Sequence, residues 1–102
     1  MRKEDFCPLI VAANVLAKKW SLVIVYQLLN GEKRFSELEK VIKGISPKVL
    51  ASTLHVLLEH DIVVREVEVS SPVRVKYRLT EKGEELARVV EEVKKWCERW
   101  EA

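Results

Sequence analysis

The chain has 102 residues, 48% of them hydrophobic, and a formal net charge of +2. That is one domain's length, enough to bury a core but with a surface-to-volume ratio that makes a core shared with a second copy attractive. So small a net charge does not advertise nucleic acid, and enzyme signatures are missing: Gly31, Gly44 and Gly83 all fall at predicted turns or helix ends, His55 and His60 share no helix face, and Cys7 and Cys97 are too far apart for a C-x-x-C site, so no catalytic residue, cofactor or metal is expected.

Along the chain, Pro8 suits the first position of a helix over residues 8–17 and puts Cys7 at its N-cap, where the helix dipole favours a thiolate. Ile10, Val11 and Leu16 are apolar positions of that helix. The longest apolar run, residues 20–29, contains Ser21 and Gln27 and is far below the ~20 residues of a membrane span. It reads as a buried helix stopped by Asn30-Gly31. No stretch suits a membrane or a signal peptide, no repeat or linker is evident, and a cytoplasmic protein is expected.

Residues 34–58 hold two helix starts in close succession. The first reads as a capping box, with the Ser36 hydroxyl accepting from the Glu39 amide and the Glu39 carboxylate reaching back to Ser36. Gly44 supplies a left-handed stop within Lys43-Gly44-Ile45, and Ser46-Pro47 begins the next helix with serine at the N-cap and proline at N1. Helix, sharp turn, helix follows. On the second helix Leu50, Leu54, Leu57 and Leu58 form an apolar stripe, while Lys48, Ser52, His55 and Glu59 lie on the far side. Such a face suits major-groove entry; it equally describes an ordinary amphipathic helix with a solvated side.

Residues 62–69 are rich in β-branched side chains, Ser70-Ser71-Pro72 breaks them, and residues 73–79 alternate strictly. Val73, Val75, Tyr77 and Leu79 share one face; Arg74, Lys76 and Arg78 share the other. A hairpin with three cations on one side, directly after two such helices, is what a winged helix requires. The plain alternative is a solvent-facing strand kept from edge aggregation by charge. Residues 62–79 carry Arg65, Arg74, Lys76 and Arg78 against Glu66 and Glu68, whereas residues 81–102 are net acidic and should face away from DNA.

Thr80 is a plausible N-cap for a last helix in which Leu86, Val89, Val90, Val93, Trp96, Cys97 and Trp100 fall within about 60° of a line through Val93. The first part of this stripe should pack on the protein's own core, Cys97 should pack rather than react, and two exposed tryptophans at the end favour an interface.

Read in order, Cys7-Pro8, Lys19-Trp20, Arg34-Phe35-Ser36-Glu37-Leu38, Gly44-Ile45-Ser46-Pro47-Lys48-Val49-Leu50, Leu54, Asp61-Ile62-Val63-Val64-Arg65, Pro72-Val73-Arg74-Val75-Lys76-Tyr77-Arg78-Leu79-Thr80, Gly83 and Trp96 resemble the HxlR-type winged-helix transcriptional regulators, relatives of the MarR group. The resemblance covers nearly the whole chain. It departs at Lys18 and at Asp61-Ile62, where that family usually has glycine.

The resemblance implies an α+β, mainly α, winged helix-turn-helix over residues 1–102. The helix-turn-helix would span about 36–60, the wing about 62–79, and N- and C-terminal dimerisation helices about 8–17 and 81–101. It implies a sequence-specific, double-stranded-DNA-binding regulator acting as a homodimer on a near-palindromic operator, with half-sites about 34 to 36 Å apart. The expected DNA-binding residues are Arg34 for a phosphate, Ser46, Pro47 and Lys48 at the start of the recognition helix, Ala51, Ser52 and His55 facing the groove, and Arg74 and Lys76 on the wing. The expected dimer residues are Ile10, Val11, Leu16, Val89, Val93, Trp96 and Trp100. In several members of that family the Cys-Pro position senses oxidants or electrophiles, which makes Cys7 a redox candidate; the competing reading is a reduced, partly buried cysteine packed beside the dimer helices. Two alternatives stay open: a protein-protein or assembly module without specific DNA binding, and a regulator responding to a small molecule whose pocket the sequence does not reveal. High Glu, Lys and Val with few Asn and Gln is the bias of thermophile proteins.

Overall fold

The computed structural model describes residues 7–16, 18–70 and 72–101. Helices α1 (Pro8–Leu16), α2 (Ser21–Leu28), α3 (Phe35–Val41) and α4 (Pro47–Glu59) precede strands β1 (Val63–Glu68) and β2 (Arg74–Leu79), and α5 (Glu81–Trp100) closes the chain. The order and the fold class match the sequence expectation; Ala17, predicted to end the first helix, and Ser71, predicted to break the hairpin, lie outside the described residues.

Helix α2 is the hub, touching α1, α3, α4, β2 and α5. Ile24 and Val25 on it are fully buried, against Leu38 of α3, Leu50, Leu54 and Leu57 of α4, Ile62 and Val63 at the hairpin entry, Leu79 of β2, and Ala87 and Val90 of α5. One apolar centre thus holds every element in place, because removing this much surface from water is the main favourable term available to so small a domain. Thr53 is buried on the inner face of α4 as well, and its hydroxyl is satisfied by donating to the Val49 carbonyl at 2.7 Å.

The predicted stops and starts are largely where local chemistry demands them. Gly31 (φ +128°) and Gly44 (φ +91°) hold left-handed conformations after α2 and α3. Ser46 is extended, and its hydroxyl accepts from the Val49 amide at 3.1 Å, with Pro47 in the first turn. Ser46→Ala is expected to cost about 1 kcal/mol of stability through this lost cap, read as a lowered urea midpoint at unchanged slope. Thr80 caps α5 by accepting from the Gly83 amide at 3.0 Å.

One start is displaced. Helix α3 begins at Phe35, one residue before Ser36, and its cap is Arg34, whose amide donates to Glu37 Oε1 at 2.9 Å. The Ser36 and Glu39 pairing therefore does not form. The reason is non-local: Lys33 forms a two-way backbone bridge with Tyr77 (3.0 and 2.8 Å), which holds residues 33 and 34 extended and delivers the chain into the helix at Phe35.

Asp61, at the position where glycine was expected, adopts φ +57°. Aspartate tolerates that region better than most residues, so the turn keeps its shape without glycine. The Asp61 carbonyl is tied down from α5 by the Thr80 hydroxyl at 2.5 Å.

Candidate nucleic-acid interface

The inner face of α4 is spent on the core, which leaves Pro47, Lys48, Ala51, Ser52, His55 and Glu59 exposed on the other. Small side chains at 51 and 52 let the backbone approach a partner closely, and Lys48 adds a cation in the first turn. The Ser46 oxygen is occupied by capping, but its proton remains available to donate. Ser52 turns back to donate to the Val49 carbonyl at 3.1 Å, and His55 Nε2 lies 2.7 Å from Glu59 Oε1 with both side chains well exposed. His55 therefore faces outward as expected, with an acceptor already beside it.

Hairpin register decides what the wing can offer. Glu66 lies opposite Lys76 and Glu68 opposite Arg74, so the face carrying Arg74, Lys76 and Arg78 also carries two carboxylates. Arg78 Nε meets Glu66 Oε1 at 2.6 Å; Lys76 Nζ meets Glu32 Oε1 at 3.1 Å and Glu68 Oε2 at 3.8 Å. The three-cation face expected from alternation is thus largely paired within the chain. Exposed pairs of this kind hold only about 0–1 kcal/mol, so phosphate can compete for them, but at a cost an unpaired cation does not have. Arg74, at the tip end of β2, is exposed and makes no ion pair among the described residues.

The Lys33–Tyr77 bridge also brings the approach to α3 alongside the wing strand. Arg34 holds its Nε out of solvent, unpaired by any hydrogen bond among the described residues and 4.0 Å from Glu37 Oε1; the side chain as a whole is 43% exposed and free to reach a phosphate. Glu37 is held below the usual carboxylate range, chiefly by the Arg34 backbone amide it accepts from, with Arg34, Lys33 and Lys76 adding attraction. Lys33, half-exposed beside Arg34, joins this cationic edge. Sequence reasoning passed over it because its only signal was adjacency to Arg34; the bridge to Tyr77 is invisible before β2 is placed.

The other expected residues sit at the far helices. Cys7 is half-exposed at the N-cap of α1, where its carbonyl accepts from the amides of Ile10 (3.0 Å) and Val11 (3.1 Å). Cys97 is exposed rather than packed within this chain. Ile10, Val89, Val93, Trp96 and Trp100 are exposed large apolar side chains, while Val11 and Leu16 are half-buried. Among the described residues no group of three or more His, Cys, Asp and Glu side chains could hold a metal ion, and no single helix is long and apolar enough to cross a membrane.

The profile of the HxlR-like helix-turn-helix family matches residues 15–102. The uncharacterized HTH-type transcriptional regulator YvaP of Bacillus subtilis (strain 168) is 41% identical over 101 residues, which make up 98% of this chain and 94% of that protein. Among solved structures, the redox regulator HypR in its oxidized form superposes with a TM-score of 0.86 at 34% identity, covering 91% of this chain and 96% of its own. The reduced form of the transcriptional regulator YodB from B. subtilis gives a TM-score of 0.80 at 40% identity, covering 93% of this chain and 94% of its own.

Proposed function

The chain belongs to the HxlR-like helix-turn-helix family, and from that premise we propose that it regulates transcription as a homodimer that reads a near-palindromic operator. It is a DNA-binding transcriptional regulator, and its relatives are regulators rather than enzymes. What supports the finer reading is one exposed helix face together with a cation at the wing tip, Arg74, that makes no ion pair among the described residues. The first turns of α4 present Lys48, Ala51 and Ser52, and the hairpin that follows ends on Arg74.

In this reading α4 enters the major groove, with Lys48, Ala51, Ser52 and His55 toward the bases and its capped N-terminus near phosphate. Arg74 reaches the adjacent minor groove or its phosphates, and Arg34 with Lys33 clamps the backbone between them. Ser46, Pro47 and Lys76 act as backbone-facing neighbours of these residues. The exposed stripe of α5, with Ile10, Val11 and Leu16 of α1, holds the two copies together so that both reading helices meet the operator. Fluorescence anisotropy against the protein's own upstream DNA and a scrambled duplex, at two salt concentrations, tests it directly: selective binding with a steep salt slope is expected, and equal weak binding to both duplexes would transfer the surface to a protein partner.

A redox response through Cys7 is part of the same proposal. The similar protein HypR is described as a redox regulator in its oxidized form, and Cys7 stands half-exposed at the start of a helix assigned to the dimer. Oxidation with diamide is expected to shift operator affinity of the native protein and leave Cys7→Ser unmoved. An identical response from Cys7→Ser, or none from the native protein, removes Cys7 as the sensor.

A further inference from the structure

Two stretches of the chain carry cations and no acid. Residues 7–31 hold Lys18 and Lys19, and residues 40–58 hold Lys40, Lys43 and Lys48, with no aspartate or glutamate in either. All five lysines are exposed, and none makes an ion pair among the described residues. The wing is the reverse case, since its register sets Lys76 and Arg78 against carboxylates. More uncompensated positive charge therefore lies off the wing than on it.

The fold draws the two stretches together. Trp20, half-buried just before α2, stands beside the turn that follows α3: a methyl added at Gly44 would lie 3.8 Å from Trp20 Cη2. Lys19 Nζ rests over the same indole, 4.8 Å from the ring centroid, a contact that orients the ammonium without neutralising it. Lys43 immediately precedes Gly44, and Ser46 caps α4 two residues after it. Lys18, Lys19 and Lys43 thus gather at one turn beside the start of α4, and Lys48 continues the charge into its first turn.

We propose that Lys18, Lys19 and Lys43 form a second phosphate clamp, which grips the DNA backbone at the end of α3 remote from the wing, with Trp20 as the residue that positions them. This rests on the DNA-binding reading above and extends it to a surface that neither the wing nor the face of α4 uses. Helix α3 has seven residues, so its two ends lie ~10 Å apart. Lys33 and Arg34 stand beside the wing at one end, and Lys43 and Gly44 meet Trp20 at the other. That separation approaches the ~12 Å width of the major groove, which lets the two basic edges hold the two backbones on either side of α4. Lys18 occupies a position where the resembling family usually has glycine, so one cation of the clamp is particular to this chain.

Phosphate is the occupant because the patch offers ammonium donors and no acceptor, and because it runs without interruption into the first turn of α4. Lysine meets phosphate as a point charge and reads no base from there. The clamp accordingly adds affinity and register, not sequence preference.

The double variant Lys18→Ala with Lys43→Ala tests it, set against Lys94→Ala with Lys95→Ala, which removes the same charge from the far half of α5. All four side chains are exposed, so the thermal midpoints of both variants should match the native protein. In anisotropy titrations across a salt series, the clamp variant is expected to lose about two units of salt slope per bound chain and about tenfold or more in affinity at physiological salt. Its ratio of operator to scrambled-duplex affinity should stay within about threefold of native, because phosphates carry no sequence information. Hydroxyl-radical footprinting should show lost protection along one backbone edge of each site, with the wing-side edge kept. A native slope and affinity in the clamp variant overturn the proposal, as does an equal loss in the α5 control, which would mark a general charge effect. Weakening confined to the operator moves the lysines to base edges. Unchanged duplex binding with lost binding to vesicles of phosphatidylcholine and phosphatidylserine assigns the patch to an anionic lipid surface instead. The scrambled duplex reads the clamp even where the operator lies elsewhere, and native protein that binds neither duplex overturns the DNA-binding reading itself before any variant is made.

Discussion

Gly83→Ala is expected to be the most destabilising single-methyl change in the chain. Gly83 is buried in the first turn of α5 and carries no left-handed φ, so its role is not conformational freedom. A Cβ there would penetrate the Ile62 carbonyl oxygen and lie 3.0 Å from the Ile62 carbon and 3.1 Å from Leu79 Cδ2. Backbone on the far side cannot swing away as a flexible side chain would. The same carbonyl accepts from the Thr80 amide at 3.0 Å and from the Thr80 hydroxyl at 3.2 Å, so a displaced α5 also loses the contacts that join the helix to the hairpin entry. Alanine would gain about 1 kcal/mol of helix propensity over glycine, but overpacking against backbone costs about 3 kcal/mol or more. The net is a loss of roughly 2 kcal/mol, or about 10 °C in melting midpoint. An unchanged or raised midpoint would mean that α5 and the Asp61-Ile62 turn are not in close contact.

The second large effect is on binding. Lys48→Ala combined with Arg74→Ala is expected to lower operator affinity by about 100-fold or more at physiological salt, because each cation contributes roughly 1–3 kcal/mol at a base edge or about one unit of salt slope at a phosphate, and in the proposed homodimer each contact is lost twice. Both side chains are exposed and neither packs on the core, so unfolding free energy should stay within about 0.5 kcal/mol of native. Lys76→Ala serves as the internal comparison. Its ammonium is already engaged by Glu32 and Glu68, so its removal should cost less than that of Arg74. Native-like affinity in the double variant would detach the recognition helix and the wing from DNA, and a larger loss for Lys76 than for Arg74 would mean that the hairpin pairs open on binding.

How much of this was legible beforehand follows the range of the interaction. The Ser46-Pro47 start, the Gly44 and Gly31 stops and the Thr80 cap depend on hydrogen bonds and φ values within three or four residues, and all appear in the structure as read from the chain. The α3 cap was misread by two residues because Ser36 with Glu39 and Arg34 with Glu37 are competing local frames. Which one forms is settled by Lys33 pairing with Tyr77, forty-four positions away.

The amino-acid sequence by itself determined the element order, the two faces of α4, the position of the hairpin and the apolar stripe of α5, since periodicity and capping are written within a few turns of chain. Only the tertiary structure decided that Lys76 and Arg78 are paired while Arg74 makes no ion pair among the described residues, that Lys33 stands beside the wing, that Gly83 is required by a neighbouring carbonyl, and that α1 and α5 leave a groove between them. Alternation along β2 shows that its cations share a face. What stands opposite them depends on the register with β1, and that register is fixed where Val63 and Leu79 meet in the common core.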